Sequence, residues 1–253
     1  MTDQTAPSND AANDTLVQID FTHEEMSILL RLMGASLPLF TPLELSDDAR
    51  EAVLRMLYVR GILFADVNGQ YSVNASVALM VTAGVQARGI AQLNRPSQDM
   101  RDLLYVMNGF LLRQSEPLPG VVRFQVLDTP YKLVALLGAV LNLDPDQAGA
   151  PQGHPVTLTG DQWQAVRAGQ LLEDVPASLG EALMSPAVVL GLTMVAVVNG
   201  QPQAPTDMLV LGHPDGGYWV VRFGGEQVSA EPLDGVGAVQ MLVTVLGEVS
   251  PLA

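Results

Sequence analysis

The chain has no cysteine, a single lysine and few charged residues of either sign. Without cysteine there is no disulfide, no thiol nucleophile and no thiolate metal site, and nothing supports secretion. Charged residues make up 15% and aromatic residues 5% of the 253 positions, against 48% hydrophobic. That balance belongs to a folded chain and not to a solvated tail. No apolar run approaches the ~20 residues that span a bilayer. The start, Met1 to Asp10, has neither a basic region nor an apolar core, so it does not read as a signal peptide. A cytoplasmic location without membrane insertion is the expectation. Lys132 is the only lysine, eleven arginines are scattered along the chain, and 27 acids leave a net charge of −15. Phosphate backbones are bound by clustered Lys and Arg. An acidic surface repels nucleic acid and suits a basic or apolar protein partner.

What is present is a repeat. Val17-Gln-Ile-Asp-Phe-Thr-His-Glu-Glu-Met26 and His154-Pro-Val-Thr-Leu-Thr-Gly-Asp-Gln-Trp163 each read as a short strand, a Thr cap, an acidic first turn and a helix with a large apolar anchor. Val122 to Asp128 leads to Leu133, Leu136, Leu137 and Val140, and Val228 to Asp234 leads to Val239, Leu242, Val243 and Leu246. This i, i+3, i+4, i+7 spacing marks one buried helix face in each copy. The offset is 137 residues at the openings (Met26 against Trp163) and 106 at the ends (Asp128 against Asp234). The difference matches an insert in the first half. There, Ser46 caps a helix carrying Val53, Leu54 and Leu57 inward, Gly61 ends it, and Asn68-Gly69 turns a small hairpin before a helix over Ala75 to Ala87.

The fold class this predicts is α+β, with two pseudo-repeated halves of helices on an antiparallel sheet and a winged-helix-like insert in the first. The expected organisation is a disordered polar tail over 1–14, a first half with the insert over 15–143, a linker over 144–153 and a second half over 154–253. Ile90 to Leu93, Asp102 to Arg113 and Val121 to Leu127 read as a meander, with a turn at Asn108-Gly109 inside the middle segment. Gln114 to Gly120 reads as a loop with Leu118 at its tip. Asp161 to Leu172 and Ala177 to Leu183 read as helices. Pro186 to Asn199 is a near-continuous apolar run; its length favours a buried helix, with a strand as the alternative.

No polar constellation carries a known chemistry. His23-Glu24-Glu25 has no ligand spacing, and His154 and His213 sit beside prolines in turn-like sequence. The GxG of Asp234-Gly-Val-Gly237 lacks its third glycine and a following β-α unit, so it reads as a tight turn into a helix. Arg50, Arg55 and Arg60 are five apart, ~140° around a helix at each step, and so diverge where a DNA-reading helix needs one face. No enzyme activity and no cofactor are expected. Tyr218 and Trp219 lie in an apolar strand whose alternation puts one on each sheet face, making one of them a candidate partner anchor beside its core role. Leu118, stiffened by Pro117 and Pro119, is another.

Leu54-Arg-Met-Leu-Tyr-Val-Arg-Gly-Ile62 followed by a hairpin and helix, then the meander from Leu103 to Leu127, then a degenerate second copy, resembles the EspG family. These are cytosolic chaperones of ESX (type VII) secretion that hold helical PE–PPE substrates. The resemblance runs from about Val17 to Leu246. It implies a non-enzymatic chaperone or adaptor that shields an apolar or helical protein partner, with Ser115, Glu116, Pro117, Leu118 and Pro119 in its binding surface. A winged-helix regulator, which needs a basic face, and an enzyme with an unrecognised site are the alternative readings.

Overall fold

The computed structural model describes residues 18–38, 40–95, 100–141, 149–184, 188–198 and 201–249. The expected tail over 1–14 and residues 144–148 of the expected linker lie outside them. In chain order the elements are β1 (Gln18–Thr22), α1 (His23–Met33), α2 (Asp47–Val59), β2 (Leu63–Ala65), β3 (Tyr71–Val73), α3 (Ala75–Val81), α4 (Ala83–Gln86), β4 (Gly89–Arg95), β5 (Met100–Val106), β6 (Leu111–Leu118), β7 (Val121–Leu127) and α5 (Pro130–Leu141). The second half has β8 (Val156–Thr159), α6 (Gly160–Arg167), α7 (Ala177–Met184), β9 (Val188–Val198), β10 (Gln201–Pro202), β11 (Thr206–Gly212), β12 (Tyr218–Gly224), β13 (Gln227–Leu233) and α8 (Gly235–Val249).

One antiparallel sheet crosses both halves in the order β1-β7-β6-β5-β4-β9-β11-β12-β13-β8, with β10 beside the end of β9. Read outward from the β4–β9 junction, the two sides have the same strand connectivity. The registers repeat as well. Thr22 faces Val121 and Ile19 faces Phe124, while Thr159 faces Gln227 and Val156 faces Ala230. The offsets of 137 (Thr22 to Thr159) and 106 (Val121 to Gln227) are those of the sequence repeat. Carried inward through the registers, the correspondence sets Asp102 on Met208 and Leu93 on Leu192, since Leu93 faces Asp102 and Leu192 faces Met208. Leu93 and Leu192 also face each other. The pseudo-twofold therefore passes through this buried leucine pair.

Helices cover both faces. α5 and α8 lie together on one, closing a core of Leu93, Leu104, Leu127, Leu133, Leu192, Val210, Val220 and Leu242 that both halves share. On the other, α1 to α4 close a first-half core around Phe21, Met26, Leu57, Tyr105 and Phe124, and α6 and α7 close a second-half core around Trp163, Leu179 and Trp219. Both α1 and α6 begin with a capping box, Thr22 with Glu25 and Thr159 with Gln162, satisfying two orphan donors each. Where α1 buries Ile28 and Leu30, α6 has Ala165 and the exposed Arg167. Among the described residues the second half has no counterpart of α2 to cover that side.

Four expectations are corrected. Within the run from Pro186 to Asn199, Val188–Val198 is the strand β9, paired on both edges with β4 and β11. Six of its eleven residues are β-branched, and a central strand covered on both faces reads as a continuous apolar run, which periodicity cannot tell from a helix. The helix expected over Ala75 to Ala87 breaks at Thr82, whose hydroxyl donates to the Ala78 carbonyl at 2.7 Å. The helix expected from Asp161 to Leu172 ends at Arg167. Most of the segment expected as the loop Gln114 to Gly120 belongs to β6.

The sheet's two edges are closed differently. Arg60, from the end of α2, donates to the Asp20 carbonyl on β1 at 2.7 Å and to both Glu25 carboxylate oxygens at 2.6 Å. One guanidinium thus blunts the first edge and ties the insert to the core. The second edge, β8, has four residues and follows Pro155, which has no N–H to offer a pairing strand.

Candidate partner-binding site

The β6–β7 hairpin differs from its counterpart, β12–β13, in exposed character. Ser115 faces Arg123 and Leu118 faces Val121, with a register shift between them. Glu116 and Pro117 form this bulge, a place where a residue without an N–H is tolerated. From Ser115 to Val121 is six positions, while the matching path from Arg222 to Gln227 is five, and β12–β13 pair without a shift. The extra residue of the first copy is the bulge. At the first tip Leu118 is 65% exposed; the second tip is Gly225-Glu226, polar and exposed.

The first tip is held rigidly. Gly120, at φ +78°, donates its N–H to Glu116 Oε1 at 2.8 Å, and its carbonyl accepts from the His23 N–H at 2.9 Å. The His23 ring packs on Phe40, 4.3 Å between centroids, and its Nε2 lies 2.8 Å from the Thr41 carbonyl. Beside the bulge is a cavity of about 290 Å³. Buried Leu103 and Val122 and half-buried Phe40 supply its apolar lining, and Arg101, Gln114 and Glu116 its polar one. The buried Tyr105 hydroxyl donates to Gln114 Oε1 at 2.6 Å and fixes that amide. Burial pushes this phenol well above its ordinary range, so it stays a donor. Leu118 is exposed at the tip, whereas Ser115 is buried.

Tyr218 and Trp219 are placed otherwise. They point to opposite faces, as alternation requires, but both faces are covered by helices. Tyr218 is in the core shared with α5 and α8, and Trp219, 0% exposed, is in the core under α6 and α7. Neither side chain presents a surface to a partner in this structure. The sequence could not show this, because burial of a strand's second face depends on helices distant in the chain.

The other candidate residues do not assemble a reactive centre. In a cavity of about 700 Å³, His213 Nδ1 accepts from the Asp215 N–H at 3.2 Å while Nε2 meets Glu181 Oε2 at 3.2 Å. Ser178 Oγ, also lining it, donates to the Gln152 carbonyl at 2.5 Å. Serine and imidazole are each committed elsewhere, so they do not form a nucleophile–base pair. Among the described residues no three His, Asp or Glu side chains gather in metal-binding geometry. Asp234 Oδ1 accepts from the Gly237 N–H at 2.6 Å, so the GxG is the cap of α8. Arg60 is turned onto Glu25 and Arg55 pairs with Glu51, so the insert has no arginine row. No helix is long and apolar enough to cross a membrane among the described residues.

Fold and site together define a class: an α+β protein of two fused copies on one antiparallel sheet, with an apolar hairpin tip in one copy only. No protein-family model and no curated protein matches the chain. Among solved structures, a similar fold is that of the Mycobacterium tuberculosis type VII secretion system chaperone EspG5, determined in complex with a PE25–PPE41 dimer. The match covers 92% of this chain and 96% of that one, with a TM-score of 0.63 and 13% identity. At that identity the likeness is one of fold.

Proposed function

We propose that this chain is a non-enzymatic, cytoplasmic binding protein that holds a helical protein partner as a secretion chaperone or adaptor. The observation that carries the reading is the end-to-end fold likeness to a type VII secretion chaperone solved with a protein dimer. The site supports it independently. A pinned, proline-stiffened tip with an exposed leucine loses little entropy on binding, and the apolar-lined cavity beside it suits a side chain from a helix tip. The acidic surface keeps a protein with apolar patches soluble and disfavours nucleic acid.

The test is co-purification of the tagged full chain from source cells with mass spectrometry of what is bound, followed by the same measurement with Leu118→Asp. A helical protein should be captured, and the substitution should weaken it at least about tenfold, ~1.4 kcal/mol. Because Leu118 is exposed, the melting temperature should hold. Capture at full strength by Leu118→Asp would remove the hairpin from the interface.

A further inference from the structure

We infer that α5 carries a second docking surface, for an apolar helix that brings a carboxylate to the pocket at the N-terminal end of α5. This rests on the reading of the chain as a holder of helical protein. The solvent side of α5 is Tyr131, Val134, Ala135 and Ala139, with Tyr131 74% and Val134 43% exposed. Their i, i+3, i+4, i+8 spacing makes one face. The single charge in Pro130–Leu141 is Lys132, and its side chain is only 10% exposed. In a chain with 27 acidic residues, this helix is apolar toward the core and apolar toward water. A helix apolar all round is ordinarily a buried one.

The start of this face opens into a cavity of about 320 Å³ lined by Tyr131, Lys132 and Ala135 of α5 and by Arg113 and Gln125 of the sheet. Two of the chain's twelve cations are therefore gathered here. Lys132 is held by Asp128 at 2.9 Å and Arg113 by the fully buried Asp102 at 2.8 Å. The buried Nε–H of Arg113 finds no acceptor among the described residues.

The second copy shows that the fold does not require any of this. At the positions of Arg113, Gln125, Lys132 and Val134 it has Val220, Glu231, Ala238 and Gln240. The same backbone is built there with an acid and without a cation. Charge complementarity selects the occupant: the net −15 of the chain repels carboxylates elsewhere, and this pocket is lined by two cations and no acid. Size excludes a stable second copy as occupant. A helix of twelve residues is about 18 Å long and ~10 Å wide, well short of the ~800 Å² per partner of a stable interface. A single helix, adding to contacts made at the hairpin, fits.

The probe is an acetylated, fluorescein-labelled 18-residue Ala/Leu amphipathic helix with two glutamates in its last turn, read by anisotropy against the full chain. A second peptide carries lysines in their place. The glutamate peptide should bind at least tenfold tighter than the lysine one. Lys132→Gln and Val134→Asp should each weaken it tenfold or more, with the circular dichroism unchanged and Leu118→Asp without effect. Should Val134→Asp lower the melting temperature, Val134→Gln, which installs the second copy's residue, takes its place. Equal binding of the two peptides, no binding of either, or wild-type binding by both Val134 variants overturns the inference. So does sedimentation showing a dimer that Val134→Asp dissociates, since a second copy would then be the occupant. Those failures with partner capture still lost in Leu118→Asp would leave the chaperone reading standing without this surface. Capture of no helical partner with the peptide results as expected would do the reverse.

Discussion

Asp102 is the most exacting test of the packing. Its carboxylate is 0% exposed, between Arg113 at 2.8 Å and Arg95 at 3.4 Å, with guanidinium side chains 17% and 12% exposed. Its Oδ1 has no hydrogen-bond partner among the described residues. The pseudo-twofold places Met194, Met208 and Val220 at the positions of Arg95, Asp102 and Arg113, and all three are buried in the shared core. Removing one partner of a buried ion pair leaves uncompensated charge and costs about 3–5 kcal/mol, whereas replacing the whole set by apolar groups is neutral or stabilising by about 1–4 kcal/mol. Asp102→Ala should therefore lose about 3–5 kcal/mol, roughly 6–20 °C in melting temperature for a domain of this size. The triple variant Arg95→Met/Asp102→Met/Arg113→Val, copied from the second half, should unfold no more easily than wild type. The assay is urea unfolding followed by tryptophan fluorescence, comparing midpoints at a common slope. A triple variant as unstable as Asp102→Ala would refute the equivalence of the halves, and an Asp102→Ala loss below about 1 kcal/mol would refute the buried network.

Three further outcomes follow from the contacts. Glu25→Gln keeps the capping box, as Gln162 does in the second copy, but loses the charge opposite Arg60. It should cost about 1.5–3 kcal/mol by urea unfolding, and hydrogen exchange should rise in α2 before the sheet; uniform exchange would show that Arg60 is not what ties the insert down. The paired 2.8 Å bonds from Arg123 hold the Asp20 carboxyl below the ordinary carboxylate range. A depressed folded-state pKa contributes stability above the unfolded value, and the contribution is lost as pH falls through the folded one. Asp20→Asn should thus flatten the decline of the urea midpoint below about pH 4, and an unchanged decline would dismiss the pair. Duplex DNA should bind no tighter than the non-specific range of ~10⁻⁴ M at physiological salt; a sequence-specific shift at submicromolar protein would overturn that.

The sequence by itself determined the local and the periodic. Thr22 with Glu25, Ser46 and the Asn68-Gly69 turn are short-range hydrogen-bonding devices, and each was legible because its partners lie within a few residues. The repeat was legible because the two offsets, 137 and 106, are those that the strand registers keep. Leu118 could be singled out as an apolar residue between two prolines, though not the β-bulge that carries it, since a bulge is defined by the partner strand. Tertiary structure decided whatever depended on residues far apart in sequence. Val188–Val198 became a strand because β4 and β11 offer it both edges. Trp219 became core because α6 and α7 cover its face. The pseudo-twofold fell on Leu93 and Leu192, ninety-nine positions apart. The polar network around Asp102 was hidden for the same reason: three charges on strands β4, β5 and β6 become neighbours only when the sheet forms, and burial, which no residue carries by itself, turns them from ordinary surface ions into a constraint.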